Sequence, residues 1–385
     1  MLLIKNGLVY TMKEEQPIHA DILIDGDKIV KIAENIMQEG AEILDAAGLQ
    51  ITPGLIDAHC HIGMFEDGIG VEGADGNEAT DPITPHMRAI DGINPYDRAF
   101  AEARRAGITT VITGPGSANV IGGLFAAMKT FAGPLSVTVL NDAFALKAAF
   151  GENPKRVYNQ QDKEPSTRMA TAALLRNAFF KAKEYAHKKH LAEMDADKEM
   201  PEFDMANEVL ERVLRREMPL KIHAHRADDI QTAMRIAKEF EIDYTIDHCT
   251  EGHLMLDILK EEKVKVILGP ILSSRPKIEM QNLNYSAPAQ FAAAGIPFAI
   301  CTDHPEIPIN LLSASAALAV QYGLSEITAL RAITLNAARI CGLEERMGSI
   351  EAGKDADLAI FCGHPLDVRT RTFCTLINGQ MVYHA

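Results

Sequence analysis

The 385-residue chain carries 38 Lys and Arg against 53 Asp and Glu, a formal net charge of −15, and is 47% hydrophobic. That apolar share supports a sizeable core and excludes a disordered, collagenous or disulfide-scaffold chain. An acidic balance without a basic stripe argues against nucleic acid or anionic lipid and points to a small-molecule substrate, with a homo-oligomer as the other expected association.

The first fifty residues read as antiparallel sheet. Asn6-Gly7 and Asp25-Gly26 are tight-turn dipeptides, and Ile22, Ile24, Ile29, Val30 and Ile32 flank the second. Lys5 interrupts the N-terminal apolar run and no small-residue cleavage site follows it. Six cysteines at 60, 249, 301, 341, 362 and 374 show no CxxC spacing, so a reducing cytoplasm is expected. No apolar run reaches 18 residues, which excludes a membrane span.

From about residue 55, short apolar strands alternate with helical patterns. Strands are expected at 55–61, 108–114, 220–225, 244–249, 264–269 and 297–303. Asp228 is placed to cap a helix bearing Ile230, Ala233, Met234 and Ala237, and a helix over 287–294 ends at Gly295. Repeated strand–helix units imply a parallel sheet, and no GxGxxG follows the first strand. The expected fold is therefore α/β, a (β/α)8 TIM-like barrel with reactive groups at the strand C-terminal ends. Three stretches depart from the unit: a Gly- and Asp-rich loop at 62–97, which is a candidate lid, a glycine-rich turn at 114–123, and a charged helical insertion at 166–217. The tail alternates again, through 356–361 to Asn378-Gly379 and Met381-Val382-Tyr383.

Asp57-Ala58-His59-Cys60-His61 is the strongest chemical signal. Side chains alternate on a strand, so His59 and His61 share a face, ~7 Å apart along the backbone, as a pair of metal-ligating imidazoles should. Lys221-Ile222-His223-Ala224-His225 repeats the arrangement. Thr245-Ile246-Asp247-His248 and Ile300-Cys301-Thr302-Asp303-His304 end two further apolar strands. Four strands delivering His, His, His and Asp to one rim make coincidence improbable.

ITPGLIDAHCHIG (51–63), IHAH (222–225), IDH (246–248), CTDHP (301–305) and GSIEAGKDADLAI (348–360) resemble the metal-dependent amidohydrolase superfamily, in the branch related to imidazolonepropionase and Xaa-dipeptidases. The resemblance spans nearly the whole chain. It implies a small β-sandwich formed by the N- and C-terminal segments (1–54 and 346–385) beside a catalytic barrel (55–345). It implies His59, His61, His223, His248 and Asp303 as metal ligands. His225 faces the same side as His223, with substrate contact preferred over metal. Many relatives hold two metals bridged by a carboxylated lysine, and residues 146–151 are similar to the strand that carries it. Lys147 is the candidate, Glu152 and Lys129 are its rivals, and a single-metal centre needs none of the three.

Arg226 and Arg275 follow barrel strands and are candidates to fork a substrate carboxylate. The acidic run Glu66, Asp67, Glu72, Asp75, Glu78 and Asp81 reads as a solvated face, and His187 and His190 as surface residues. Strand parity turns Cys60, Cys249 and Cys301 away from the ligands as packing residues. The chemistry expected is hydrolysis of a non-polymeric C–N bond in a small amide, cyclic amide or dipeptide-like substrate. Metal-activated water attacks, Asp303 acts as general base and then acid, and His248 or His225 polarises the carbonyl. A deaminase of a nitrogen heterocycle is the alternative, and a catalytically silent scaffold a more distant one. An imidazole-rich set with one carboxylate and no thiolate favours Zn2+, with Fe, Mn or Co able to occupy similar sites, one or two per chain.

Overall fold

The computed structural model describes every residue except Asp67, Ile69, Pro134 and Leu135, so Asp67 of the acidic run lies outside the described residues. The chain begins in an eight-stranded sheet with β1 (Leu2–Val9), β2 (Ile18–Asp25), β3 (Lys28–Ala33), β4 (Glu42–Asp45) and β5 (Gln50–Pro53). The period-2 pattern buries Ile4, Val9, Ile22, Ile24 and Ile51 in one apolar cluster. Asp25-Gly26 turns β2 into β3, as expected. Asn6-Gly7 does not turn the chain: it forms an irregularity inside β1, where the register with β2 shifts and Asn6 takes φ 63. A Cβ on Gly7 would lie 2.4 Å from Ile51 Cδ1, so the bulge requires the glycine.

The barrel follows. Its strands are β6 (Leu55–Cys60), β7 (Ile108–Thr113) after α1 (Arg98–Arg105), β8 (Ile121–Gly133) and β9 (Ser136–Ala149). Helices α2 (Glu152–Asn159), α3 (Arg168–Met194) and α4 (Met205–Leu214) lead to β10 (Leu220–Ala224), α5 (Ala227–Phe240), β11 (Tyr244–His248), α6 (Leu256–Glu261), β12 (Lys265–Leu268), α7 (Ala287–Ala294) and β13 (Phe298–Ile300). These strands hydrogen-bond in sequence order from β6 to β13. The ring closes where Asp303 N–H donates to His59 O at 3.2 Å and His61 N–H donates to His304 O at 2.8 Å.

The expected eight-stranded barrel is present, with one departure from all-parallel geometry. β8 runs antiparallel to both β7 and β9, forming a long hairpin with β9 in place of a helical crossover. Its start, Ile121-Gly122-Gly123, falls inside the stretch expected as a glycine-rich turn. The glycines admit close neighbours: a Cβ on Gly123 would sit 2.7 Å from Met87 O. The 166–217 insertion is α3 and α4, and α7 ends at Gly295 with φ 73. Arg226 rather than Asp228 occupies the N-cap of α5, and Asp228 lies in its first turn.

The chain leaves the barrel through α8 (Leu312–Gln321), α9 (Glu326–Ala332) and α10 (Leu335–Ile340). It returns to the first sheet as β14 (Leu358–Phe361), β15 (Thr372–Ile377) and β16 (Gln380–His384). β14 pairs with β5, so both chain ends share one sheet. Asn378-Gly379 joins β15 to β16 with φ 51 and 72, the left-handed pair a two-residue hairpin turn requires. We propose boundaries at 54 and 346 for this unit. Among the described residues no helix is long and apolar enough to cross a membrane.

Lys129 on β8 ties the two sheets together. Fully buried, its Nζ lies 2.8 Å from Asp355 Oδ2 and 2.9 Å from Asp357 Oδ2, and donates to Asn378. This placement, against the tail segment, separates it from the candidate ligands, and it is no rival to Lys147. Removing one partner of a buried ion cluster leaves uncompensated charge. Lys129→Met should lower unfolding free energy by about 3–5 kcal/mol in urea titrations; a loss below about 1 kcal/mol would show that the cluster is not a fastening.

Candidate metal centre and active site

Strand alternation places Asp57, His59 and His61 on one face of the β6 segment and Lys221, His223 and His225 on one face of the β10 segment. His248 reaches the same centre by a different route. It directly follows Asp247, whose side chain also points inward, so alternation alone would turn one of them away. Left-handed backbone at His248 (φ 72) and Cys249 (φ 47) swings the imidazole round. Asp303 is likewise left-handed, with φ 57. Non-glycine residues in this region are uncommon, and the strain sits where the side chains must converge.

Two groups result. In the first, His59 Nε2 and His61 Nε2 lie 3.4 and 3.2 Å from Asp303 Oδ1. In the second, His223, His225 and His248 offer ring nitrogens all within 4.8 Å of one another. The groups adjoin, with the His59 and His248 rings 5.1 Å apart between centroids. Thus the structure brings together His59, His61, His223, His225, His248 and Asp303.

Nearly every imidazole is oriented through Nδ1. His61 Nδ1 lies 2.7 Å from Gly114 O, His248 Nδ1 2.7 Å from Gly269 O, His225 Nδ1 2.7 Å from Thr250 Oγ1 and His223 Nδ1 2.9 Å from Ser117 Oγ. His59 Nδ1 lies 2.8 Å from Asp247 Oδ2. This is how metal-ligating histidines are held, with the outer nitrogen engaged and the inner one presented. The inner Nε2 atoms of His59, His223 and His248 are buried without hydrogen-bond partners among the described residues. Burial pushes the imidazolium pKa of His59, His223 and His248 down, and that of His225 to about 3, leaving the neutral, ligating form. These orphaned, convergent, neutral nitrogens fit a cation.

Lys147 stands beneath them on β9, fully buried, with no hydrogen-bond partner for Nζ among the described residues. Desolvation brings it down to about 8, against the opposing pull of Asp247 and Asp303. Phe125 on β8 floors the centre, 5.4 Å from the His59 ring and 5.6 Å from Lys147 Nζ. A Cβ on Gly114 would lie 2.4 Å from Phe125, so that glycine makes room for the floor.

Several groups escaped sequence reasoning. Asp247 links His59 to Lys221, whose buried Nζ lies 3.2 Å from Asp247 Oδ2. Asp57 accepts from Thr302 Oγ1 at 2.5 Å, and burial raises it to about 7. Alternation along the LIDAHC and YTIDH strands carried the signal for both. Glu279, buried in an irregular turn, had no such signal. Its Oε1 lies 3.8 Å from His223 Nε2 and 3.7 Å from His225 Nε2.

A cavity of about 320 Å3 opens over the centre, lined by His61, Ser117, His223, Asp303, Arg156 and Lys277 among others. Arg226 and Arg275 are not on its wall. Arg226 forks Asp228 with two contacts of 2.9 Å, and Arg275 donates to Leu283 O and lies over Tyr285. His225 is not on the wall either, and Glu152 contributes its backbone amide to Glu279 Oε2 at 2.9 Å. Cys60, Cys249 and Cys301 are buried. Cys301, two residues before Asp303, shares its face rather than opposing it, and burial together with Asp57 and Asp303 raises its thiol pKa. His187 and His190 are exposed.

The Amidohydrolase family model matches residues 50–382, and the chain belongs to that family. It is 28% identical over 396 residues to the amidohydrolase tasK of Hapsidospora irregularis, covering 93% of this chain and 39% of that protein; the chain thus spans about two fifths of that relative. A crystal structure of an amidohydrolase from Thermotoga maritima MSB8 is 44% identical, with a TM-score of 0.97 and complete coverage of both chains. A prolidase complexed with N-methylphosphonate-L-proline shares the fold at a TM-score of 0.64 and 17% identity, with both chains fully covered.

Two outcomes follow. Asp247→Asn removes the anion that orients His59 and should weaken metal binding ~10–100-fold in chelator competition; unchanged affinity would remove Asp247 from that role. Histidines with lowered native pKa bind fewer protons folded than unfolded, so stability of metal-free protein must fall as pH drops from about 6.5, the unfolded value, toward 3. Melting temperature should decrease from pH 7.5 to 5, and a flat profile would contradict buried neutral imidazoles.

Proposed function

We propose that the protein is a metal-dependent hydrolase of a C–N bond in a small carboxylate-bearing amide, cyclic amide or dipeptide-like molecule. The observation that carries this reading is the shared cavity: His61, His223 and Asp303 on one wall, and the cations Arg156 and Lys277 on the lining. About 320 Å3 suits a small molecule rather than a polymer. His59, His61 and Asp303 would hold one divalent cation, with zinc favoured by the donor chemistry, and His223 and His248 a second. When bound, the metal supplies acidity to a water molecule and polarises the scissile carbonyl.

The side chains do the rest. Burial alone would raise Asp303, but the imidazoles of His248, His59 and His61 facing it outweigh burial and hold it well below the usual carboxylate range. Asp303 is therefore ionised and faces the cavity, so it can take the proton of the attacking water. As the C–O bond forms and the C–N bond breaks, it returns that proton to the leaving nitrogen. Phe125 keeps water from beneath the centre, and Arg156 with half-buried Lys277 orients the substrate carboxylate. Lys147, with no hydrogen-bond partner for Nζ among the described residues and its pKa lowered to about 8, has an amine able to add to carbon dioxide with loss of a proton, giving a carbamate anion. A small-molecule substrate, a cytoplasmic location and self-association remain parts of this reading.

Asp303→Asn should abolish turnover of an amide substrate while metal content, measured by mass spectrometry, stays close to wild type; an active variant would defeat the assignment. Arg156→Met with Lys277→Met should raise KM for carboxylate-bearing substrates by about tenfold or more, since charge-assisted bonds contribute roughly 1.5–3 kcal/mol each. Equal use of the carboxylate and its neutral amide by the wild type would overturn the substrate class, and release of ammonia from a heterocycle would overturn amide hydrolysis.

A further inference from the structure

Glu279 has no part in the mechanism above, yet its placement is demanding. The carboxylate is almost wholly buried (1% exposed) on a short 3-10 turn, Ile278–Met280, far in sequence from the other polar groups. Oε2 accepts from Glu152 N–H at the start of α2, while Oε1 has no hydrogen-bond partner among the described residues. That free oxygen faces His223 Nε2 and His225 Nε2 at 3.8 and 3.7 Å. The backbone has been cleared for it: Gly151 takes φ 86, and a Cβ there would stand 2.5 Å from Glu279 Oε2.

His225 points the same way. Thr250 engages its Nδ1, leaving Nε2 toward Glu279, and its ring stacks 4.8 Å from His248 at an interplanar angle of 19°. The outer nitrogens of His223, His225 and His248 are thus all occupied; the three imidazoles bring ring nitrogens within 4.8 Å of one another, and the Glu279 carboxylate approaches two of them. Of these four groups, only His223 lines the cavity.

We infer that His225 and Glu279 complete, with His223 and His248, a four-donor all-protein shell for the second cation, set back from the substrate cavity, which it meets through His223 alone. The inference rests on the reading of the mouth as a metal centre and extends it. It gives His225 a ligand's role in place of substrate contact, and it gives the centre a carboxylate from the segment after β12. Four nitrogen and oxygen donors with bonds of about 2.0 Å stand roughly 3.3 Å apart in a tetrahedron, so the 3.7–3.8 Å gaps at Glu279 contract by about half an ångström and the imidazole nitrogens, within 4.8 Å of one another, by up to about 1.5 Å. A structural cation has all its positions filled by protein, whereas a catalytic one keeps a position open. The His59–His61–Asp303 group borders the cavity and suits the open role, and the His223–His225–His248 group, with Glu279 facing two of its members, suits the closed one.

Two measurements test this. Crystals of the wild-type protein loaded with Zn2+ should show two anomalous peaks, one of them within about 2.5 Å of both Glu279 Oε1 and His225 Nε2. A single peak at His59 and His61, or a second peak that leaves Glu279 beyond hydrogen-bond distance, overturns the proposal. In titrations of metal-stripped protein with Co2+, Glu279→Gln and His225→Asn should each weaken the second equivalent by about 100-fold or more and reduce the intense visible absorption of four-coordinate cobalt. Second-site affinity within about twofold of wild type with an unchanged spectrum overturns it as well. Two bound cations, the second of them held by Glu279, in a protein that cleaves no amide would sink the hydrolase reading and leave this one standing; an active amidase with one cation would do the reverse.

Discussion

A charged or polar group taken out of water must find a partner, and this constraint governs the barrel mouth. Within one small volume the fold buries the imidazoles of His59, His61, His223, His225 and His248, the carboxylates of Asp57, Asp247, Asp303 and Glu279, and the amines of Lys147 and Lys221. Some are matched within the protein: Lys221 with Asp247, Asp247 with His59, Asp57 with Thr302. Others present unpartnered atoms to one another, among them Lys147 Nζ, His248 Nε2 and Glu279 Oε1. Left so, they would destabilise the core by roughly 1–3 kcal/mol each. On the proposed reading a bound cation would resolve that cost for the imidazole nitrogens and the Glu279 oxygen, whose outer neighbours already hold them in place.

The barrel supports the site in two ways. Parallel strands β10 to β13 bring their C-terminal ends to one rim, and closure between β13 and β6 is made by the backbone of His59, His61, Asp303 and His304. Ring closure and ligand placement are therefore the same set of contacts. The antiparallel strand β8 (Ile121–Gly133) contributes at two points along its length. Phe125 floors the centre, and Lys129 grips the tail segment that completes the outer sheet. A disturbance of β8 would reach both the chemistry and the junction between the sheets.

How much of this was legible follows from local periodicity. The HxH pairs on β6 and β10 could be read because strands alternate with period 2, and each lies at the end of an apolar run. The shared sheet of the two chain ends could be read from the family resemblance. The start of β8 could not, because Gly122-Gly123 read as the end of a turn, whereas here they admit Lys147 and Met87 at close range. Asn6-Gly7 is the converse, a turn signal absorbed as a bulge because Ile51 packs against it. His248 depends on a left-handed backbone that no pattern announces. Glu279, Arg156 and Lys277 meet the site only through tertiary folding, while Arg226, adjacent in sequence to a ligand, is spent on Asp228.

The central claim is that His59 and His61 are metal ligands on the open side of this mouth. Its most direct test is elemental analysis of protein purified without chelator, comparing wild type with a folded His59→Asn/His61→Asn double variant. The account requires the variant to lose at least one equivalent of divalent metal per chain relative to wild type. A double variant that retains the full complement would contradict it.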